Sequence, residues 1–340
     1  MNREEVYIIA ELSANHNNRL ETALETIQSI KNSGADAVKL QTYTADTITI
    51  DCDNEHFTNL LNGTVWEGKK FYDLYKEAYT PWEWHDRLFK YARNIGLDIF
   101  SSPFDISAID FLEELNPSYY KIASFEIYDI PLIECAASKG RPIIISTGIA
   151  TLGDIELALK TCREVGNNQI TLLKCTSAYP APIEEANLLT IPNMRDTFGV
   201  EVGLSDHTLG SSVSIAAVAL GAKVIEKHFI LDRNMGGPDS SFSMEPEEFK
   251  SMVKSIREVE SSLGRINYEL TEKAEKSKVF ARSLFIVEDV KAGDEITGIN
   301  VRSIRPAYGM HPKYYAQVMG NRFAGNYKKG TPLEWAMVVE

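Results

Sequence analysis

Short apolar runs alternate with amphipathic stretches over most of the chain. The runs are rich in Val, Ile, Leu and Tyr and are six to eight residues long, which predicts strands buried on both faces. Eight such strands are predicted, at 6–12, 37–42, 98–103, 119–124, 142–147, 170–177, 201–206 and 223–229. Between the runs, apolar residues recur at helical spacing, most clearly over 20–33, 81–95, 151–164 and 211–220.

Eight strand and helix units within about 260 residues match the size and rhythm of a (β/α)8 TIM barrel. The rival is a doubly wound open sheet, which usually carries a Gly-x-Gly-x-x-Gly or P-loop motif after its first strand. This chain has Glu-Leu-Ser-Ala-Asn-His at 11–16 instead. The pattern therefore predicts an α/β fold with a barrel domain over 1–263.

The pattern changes after a last predicted helix at 245–263. Residues 264–278 are highly charged and are expected to form a linker. Residues 279–340 hold short apolar runs separated by turn residues, which predicts a small β-rich domain. A domain of this length is marginally stable alone, so we expect it to pack against the barrel of its own or another subunit.

Composition narrows the class of protein. The 340 residues are 44% hydrophobic, and no apolar run is long enough to span a membrane. The amino terminus lacks the apolar stretch of a signal peptide and the four cysteines are scattered, so we expect a cytoplasmic protein with reduced thiols. A net charge of −13 argues against nucleic acid or an anionic membrane as partner. An anionic substrate would need a local basic pocket.

Polar side chains gather at the predicted carboxyl ends of the strands, the face that carries the active sites of TIM barrels. Serine and threonine there often only cap the next helix. Lys39 and Lys121 are poor helix caps, however, because a helix amino terminus repels positive charge. Lysines, hydroxyls and helix amino termini together predict a phosphate or carboxylate site.

Two histidines end the last two strands. His207 in Gly-Leu-Ser-Asp-His-Thr and His228 in Val-Ile-Glu-Lys-His-Phe can converge on one metal ion, whereas each alone would be read as a core histidine. Two ligands leave coordination positions open for chemistry. We expect Mn²⁺ or Mg²⁺, with Co²⁺ and Zn²⁺ as alternatives. Glu226 is a candidate for orienting the metal site, and Glu126 for proton transfer or for a salt bridge to a lysine.

Several motifs resemble the sialic acid synthase family. They are Ile-Ala-Glu-Leu-Ser-Ala-Asn-His at 9–16, Lys-Ile-Ala-Ser-Phe-Glu at 121–126, Ile-Ser-Thr-Gly at 145–148, Cys-Thr-Ser-Ala-Tyr-Pro at 175–180 and the two histidine motifs. The segments 279–284 and 290–294 look like the antifreeze-like (SAF) domain that follows the barrel in this family. Within the family, 11–16, 80–85 and 305–313 look most like the branch that makes pseudaminic acid.

The resemblance implies condensation of phosphoenolpyruvate with an N-acetylated amino sugar, giving a nine-carbon 2-keto acid and phosphate with the help of a divalent metal. In the pseudaminic branch the sugar is 2,4-diacetamido-2,4,6-trideoxy-altrose. N-Acetylneuraminate and legionaminate synthesis are the alternatives. The family's phosphoenolpyruvate-binding positions fall on Lys39, Ser102, Lys121, Ser124, Ser146 and Ser205. Ser102 replaces a threonine of the sialic acid members but keeps the hydroxyl.

The resemblance also implies the sugar contacts. Glu11 and Asp239 match carboxylates that contact sugar hydroxyls, and Tyr179 matches a tyrosine near the acceptor. Arg282 matches an arginine that the SAF domain extends into the partner's barrel, which implies a homodimer. A barrel metallohydrolase is disfavoured because no His-x-His pair lies on the first strand. A non-catalytic sugar-binding protein would not need the metal pair or the lysines.

Overall fold

Eight parallel strands close into a barrel in sequence order, with β8 pairing back to β1. The strands are β1 Tyr7–Glu11, β2 Ala37–Thr42, β3 Asp98–Pro103, β4 Tyr120–Ile122, β5 Ile143–Ser146, β6 Ile170–Cys175, β7 Glu201–Asp206 and β8 Val224–His228. This computed structural model describes residues 5–57, 67 and 69–340. The predicted TIM barrel is confirmed. Strand β4 is shorter than predicted, because Ser124 has a helical backbone and leads into a 3-10 turn at Phe125–Tyr128.

Helices connect the strands. They are α1 Leu20–Asn32, α2 Ala45–Ile48, α3 Phe71–Ala78, α4 Trp82–Asn94, α5 Ile106–Glu114, α6 Ile130–Ser138, α7 Leu152–Glu164, α8 Thr190–Phe198, α9 Ser212–Ala219 and α10 Pro246–Leu263. Local sequence explains several starts. Thr151 and Asp154, for example, form a reciprocal capping box at the start of α7. Helices α2 and α3 lie in the long excursion after β2 and were not predicted from the pattern.

The barrel has two apolar layers because strand side chains alternate in direction. Ile8, Val38 and Ile99 belong to the cluster that packs against the helices. Tyr7, Ile9, Phe100 and other residues of alternate positions form a second cluster, which fills the barrel interior as in other barrels of this type. Along each strand, the side chains that point into the barrel therefore change from apolar to polar, as Tyr7, Ile9 and Glu11 do on β1.

The carboxyl-terminal unit spans Arg265–Glu340, and the barrel unit spans Met1–Gly264. The strands of the carboxyl-terminal unit are β9 Ser283–Ile286, β10 Val301–Ile304, β11 Arg322–Phe323 and β12 Val338–Val339. Strand β9 pairs antiparallel with β10, and β11 pairs antiparallel with β12. A small core of Leu284, Ile286, Ile296, Val301 and Phe323 holds it together. The segment expected as a linker contains a short helix, α11 Glu272–Ser277, and a further helix, α12, spans Tyr315–Val318.

In the described part of the chain, every helix is too short or too polar to cross a bilayer.

Candidate active site

The inward positions at the carboxyl ends of the strands converge on one polar layer above the interior apolar cluster. Alternation from that cluster places Lys39 two residues after Ala37, Ser102 two after Phe100 and Lys121 two after Tyr119. All three polar residues are buried. The same geometry brings Ser146, Cys175, Ser205 and Glu226 to this layer. The predicted gathering of strand-end residues is thus present in the structure.

Two lysines and two glutamates form the centre of this layer. Lys39 Nζ lies 2.8 Å from Glu11 Oε2 and 3.1 Å from Glu226 Oε2. Lys121 Nζ lies 3.9 Å from Glu226 Oε1, and Ser205 donates a hydrogen bond of 2.9 Å to that oxygen. Glu226 therefore connects the lysines of two distant strands. Its carboxylate pairs with lysines and Ser205, and its candidate role in orienting the metal site stays a prediction.

The two buried glutamates respond in opposite ways to the same environment. Burial raises the pKa of Glu11 above its usual range, and the nearby Lys39 only partly offsets this. Burial acts on Glu226 too, but Lys121 and Lys39 together outweigh it and lower its pKa. Both Glu11 oxygens are shielded from solvent and have no hydrogen-bond partner among the described residues, and Lys39 contacts Oε2 as an ion pair. The cluster therefore joins two lysines to one carboxylate that stays ionised, Glu226, and to a second, Glu11, that is more easily protonated.

Hydroxyl groups line the layer beside Lys121. Lys121 Nζ donates to Ser146 Oγ over 2.7 Å, and burial lowers the pKa of this lysine to about 8. Ser124 Oγ accepts a hydrogen bond from the Gly148 amide, 2.9 Å away. A Cβ on Gly148 would lie only 2.1 Å from Ser177 Oγ and 2.7 Å from Ser124 Oγ, so only glycine allows this close approach. Ser102 Oγ is buried and has no hydrogen-bond partner among the described residues, which leaves it free to bind a ligand.

His207 and His228 face each other with ring centroids 5.4 Å apart. The His207 Nδ1 lies 3.1 Å from the carbonyl oxygen of Thr176, so a proton on Nδ1 would be donated there and Nε2 would be left as the metal-binding nitrogen. Burial, with the neighbouring His207, lowers the pKa of His228 well below its usual range, so this imidazole is neutral as a metal ligand must be. The predicted pairing of the two imidazoles is present.

The site fits an open metal centre rather than a closed one. His228 Nδ1 is buried and has no hydrogen-bond partner among the described residues, and the nearest carboxylate oxygen, Oδ2 of Asp239, lies 3.8 Å away. Within those same residues, no group of three or more His, Cys, Asp and Glu side chains is arranged to hold a metal. An imidazole nitrogen that makes no hydrogen bond is available to bind a metal ion. A divalent ion bound by one nitrogen from each histidine would keep its other coordination positions for water or substrate.

Cys175 is a site residue that sequence reasoning missed. Its Sγ lies 3.7 Å from His207 Nδ1. Burial would raise the pKa of the thiol and lower that of the imidazole, but their mutual contact reverses both shifts and brings the thiol to about 7. The signal available in the sequence was position, because Cys175 lies on β6 two residues after the interior residue Leu173.

A cavity of about 920 Å³ opens over this layer. Polar residues line one part of it, among them Ser124, Glu126, Tyr179, His228 and Asp239. Apolar residues from the excursion after β2 and from its neighbours line another part. We call these the apolar wall; they are Ile48, Phe57, Phe71, Leu74, Ala78 and Phe104.

The remaining predicted residues occupy distinct places around the cavity. Asp239 is buried rather than an exposed turn residue, and its carboxylate accepts a hydrogen bond from Ser13. The Tyr179 ring lies 4.4 Å from the His207 ring. Glu126 has one oxygen that is shielded and without a hydrogen-bond partner among the described residues, and burial raises its pKa to about 7. Among the described residues, no lysine lies within salt-bridge distance of Glu126, so the alternative prediction of a salt bridge to a strand-end lysine finds no support.

Arg282 lies in the carboxyl-terminal unit, just before β9. Its side chain is exposed and its Nη1 donates to the Ser303 carbonyl over 2.8 Å. The role expected for it in a partner's barrel stays a prediction.

Comparison with known proteins agrees with the fold. Residues 26–268 match the model of the NeuB family, and residues 281–339 match that of the SAF domain. The chain is 49% identical to the pseudaminic acid synthase of Helicobacter pylori, with 96% of each chain covered. It is 37% identical to the N,N'-diacetyllegionaminic acid synthase of Legionella pneumophila, over 97% of this chain and 93% of that one.

Among solved structures, the N-acetylneuraminic acid synthetase of Leptospira borgpetersenii, determined in complex with citrate, superposes with a TM-score of 0.71 at 31% identity. The alignment covers 80% of this chain and 90% of that one. The fold and the polar layer define a barrel synthase of sugar acids. The chain belongs to the NeuB family and carries a SAF domain at its carboxyl terminus.

Proposed function

We propose that this protein is a cytoplasmic pseudaminic acid synthase, which condenses phosphoenolpyruvate with 2,4-diacetamido-2,4,6-trideoxy-altrose. The observation that carries the proposal is the juxtaposition of two buried lysines with an open histidine pair on the catalytic face of the barrel. The Helicobacter pylori relative bears the name of this activity.

Phosphoenolpyruvate would bind to the lysine and hydroxyl cluster. Lys39 and Lys121 supply charge, while Ser102, Ser124, Ser146 and Ser205 supply donors for phosphate and carboxylate oxygens. Without substrate, the lysines contact Glu11 and Glu226. An arriving anion would take over part of these contacts, and the raised pKa of Glu11 makes its neutral form accessible at that moment.

His207 and His228 would hold the divalent metal. When bound, this ion would supply Lewis acidity to the aldehyde of the acceptor. The chain's own contribution is to keep both imidazoles close and His228 neutral.

The bond changes follow from the substrates. C3 of phosphoenolpyruvate attacks the aldehyde carbon; the carbon–carbon bond forms as the aldehyde π bond breaks, the aldehyde oxygen takes up a proton to become a hydroxyl, and positive charge is left at C2. Water adds at C2 and loses one proton. The C2–oxygen bond to phosphate then breaks, the new C2 hydroxyl passes its proton to the departing phosphate, and the keto acid is formed. Glu126 is the base that we assign to the water, because its shielded oxygen has no donor among the described residues and its pKa of about 7 suits proton transfer at neutral pH.

The acceptor is proposed from the shape and chemistry of the cavity. Tyr179 and Asp239 line the cavity and, with the buried Glu11, would offer polar contacts to its hydroxyl and amide groups. The trideoxy sugar carries a methyl group at C6 and two acetamido methyls, and the apolar wall suits such groups better than a hydroxymethyl group. N-Acetylneuraminate or legionaminate synthesis, with a different N-acetylated aldose, is the alternative.

We further propose that the active protein is a homodimer in which Arg282 reaches the partner's barrel. The support is the matching SAF domain, the exposure of Arg282 and the small core of the carboxyl-terminal unit. An arginine suits the carbonyl oxygen of an acetamido group as a planar donor.

The test is turnover of phosphoenolpyruvate with a panel of acceptors, in metal-free protein and after addition of Mn²⁺. We expect activity only with metal and a preference for the trideoxy-altrose over N-acetylmannosamine. In 18O-labelled water the label should enter C2 of the keto acid. Label found only in the phosphate would contradict carbon–oxygen cleavage, and a preference for N-acetylmannosamine would favour the alternative.

A further inference from the structure

A buried ion pair lies on the outer side of the two strands that carry the histidines. Lys227 Nζ lies 2.9 Å from Asp206 Oδ2, and each side chain is only 1% exposed. The two residues are direct neighbours in the register of β7 and β8, and each immediately precedes one of the two histidines. Because side chains alternate along a strand, the ion pair faces helix α9 while His207 and His228 face the barrel interior.

The pair is fully connected to the backbone around His207. Asp206 Oδ1 accepts from the Thr208 amide and hydroxyl over 2.9 and 2.7 Å, and Oδ2 accepts from Ser214 Oγ over 2.6 Å. Lys227 Nζ also donates to the Thr208 carbonyl over 2.6 Å. Asp206 and Thr208, which flank His207, are therefore both bonded to Lys227, the residue that precedes His228.

Stability alone does not account for this arrangement. Taking two charges out of water is expensive, and an apolar pair of similar volume would often serve the fold equally well. A charged pair with defined donors and acceptors does, however, fix the separation and twist of the two strand ends. That separation determines how far apart the two imidazoles lie.

We propose that Asp206 and Lys227 are positioning residues that hold His207 and His228 at the distance required for one divalent ion. The inference rests on the metal site of the proposed function and assigns to it a support on the far side of the strands. Groups hydrogen-bonded directly to metal ligands typically change metal affinity by about 10- to 100-fold when they are removed, and for this indirect support we expect the lower end of that range.

The experiment is a titration of the metal-free protein with Mn²⁺, followed by the electron paramagnetic resonance signal of the free ion. In the double variant Asp206→Asn with Lys227→Met, both charges disappear together and neither is left buried alone. We expect this variant to fold and to bind Mn²⁺ at least about tenfold more weakly than wild type.

The control removes another ion pair, which is less buried. Arg141, before the amino end of β5, lies 2.8 Å from Glu113 on α5. The double variant Glu113→Gln with Arg141→Met should keep the wild-type affinity for Mn²⁺, even where its unfolding temperature falls.

Equal affinities in wild type and the Asp206 and Lys227 variant would overturn the proposal, while a wild-type protein that binds no Mn²⁺ would overturn the proposed metal site as well. If the double variant does not fold, Ser214→Ala removes one bond to Asp206 and should weaken Mn²⁺ binding about threefold. Unchanged affinity in that variant would equally overturn the proposal.

Discussion

At the scale of single residues, the candidate site depends on how burial and neighbouring charge compete. Glu11, Glu126 and Glu226 have the same carboxyl group, yet burial raises the pKa of the first two, while two lysines lower that of the third. One face of the barrel thus holds two kinds of carboxyl group. Glu226 stays ionised and pairs with cations, whereas Glu11 and Glu126 can exchange a proton near neutral pH. Proton transfer and anion binding are assigned to different residues for this reason.

Glu126→Gln should remove a titration from the pH profile of kcat/KM. A base is active as its carboxylate, so wild-type kcat/KM should rise through about pH 7 and fall again above about pH 8, where Lys121 loses its charge. The variant should lose that rise and fall in turnover by about 10²- to 10⁴-fold, because a positioned base contributes that much. Steady-state kinetics from pH 5.5 to about 9 measure both effects.

Glu11→Gln is the comparison, because Glu11 also has a raised pKa. If the rise near pH 7 persists in Glu126→Gln and disappears in Glu11→Gln, the base has been assigned to the wrong residue.

At the scale of elements, the strands provide the chemistry and the excursion after β2 provides much of the apolar wall. Helix α3 contributes Phe71, Leu74 and Ala78 to the cavity, whereas the strand ends contribute polar groups. The reacting atoms and the distal groups of the acceptor are therefore contacted by different elements. Changes in the excursion should alter acceptor preference without altering phosphoenolpyruvate binding.

Leu74→Ala should lower kcat/KM for the trideoxy-altrose about tenfold, because apolar contact of this size is worth about 1–3 kcal/mol in a pocket. The value for N-acetylmannosamine should fall less, and the KM for phosphoenolpyruvate should stay unchanged. Leu159→Ala truncates a buried leucine of α7 that does not line the cavity and controls for lost stability. Equal losses for both acceptors would remove Leu74 from the specificity determinants.

At the scale of the whole molecule, the barrel and the carboxyl-terminal unit each have a hydrophobic core of their own. The smaller core stabilises its unit only modestly. A two-fold dimer would bring one unit of each chain to the other chain's barrel, so that every active site would draw on two chains.

Mixing two inactive variants tests this arrangement. Arg282→Ala should lose affinity for the sugar, and His207→Ala should lose turnover. A heterodimer of the two would contain one site with both residues intact and one with neither, so random exchange should restore about a quarter of wild-type activity. The readout is product formation after verified subunit exchange; no recovery would mean that Arg282 does not act in the partner's barrel.

The sequence by itself determined the barrel and the histidine pair. Strand and helix periodicities are local properties, and they placed most of the strands within one or two residues of their observed bounds. Residue type and strand-end position were enough to predict that four residues lie at the same face of the barrel, because the carboxyl ends of parallel barrel strands meet there. These residues are Lys39, Lys121, His207 and His228. The family motifs rest on residue order and needed no coordinates.

Only the tertiary structure decided which of these groups touch. Glu226 joins the lysines of β2 and β4, Cys175 contacts His207, and Asp206 pairs with Lys227 on the outer side. These contacts link residues far apart in the chain, and they depend on the closure of the barrel and on the face to which each side chain points. The apolar wall depends in the same way on where an irregular excursion folds back, and no periodic pattern encodes that path.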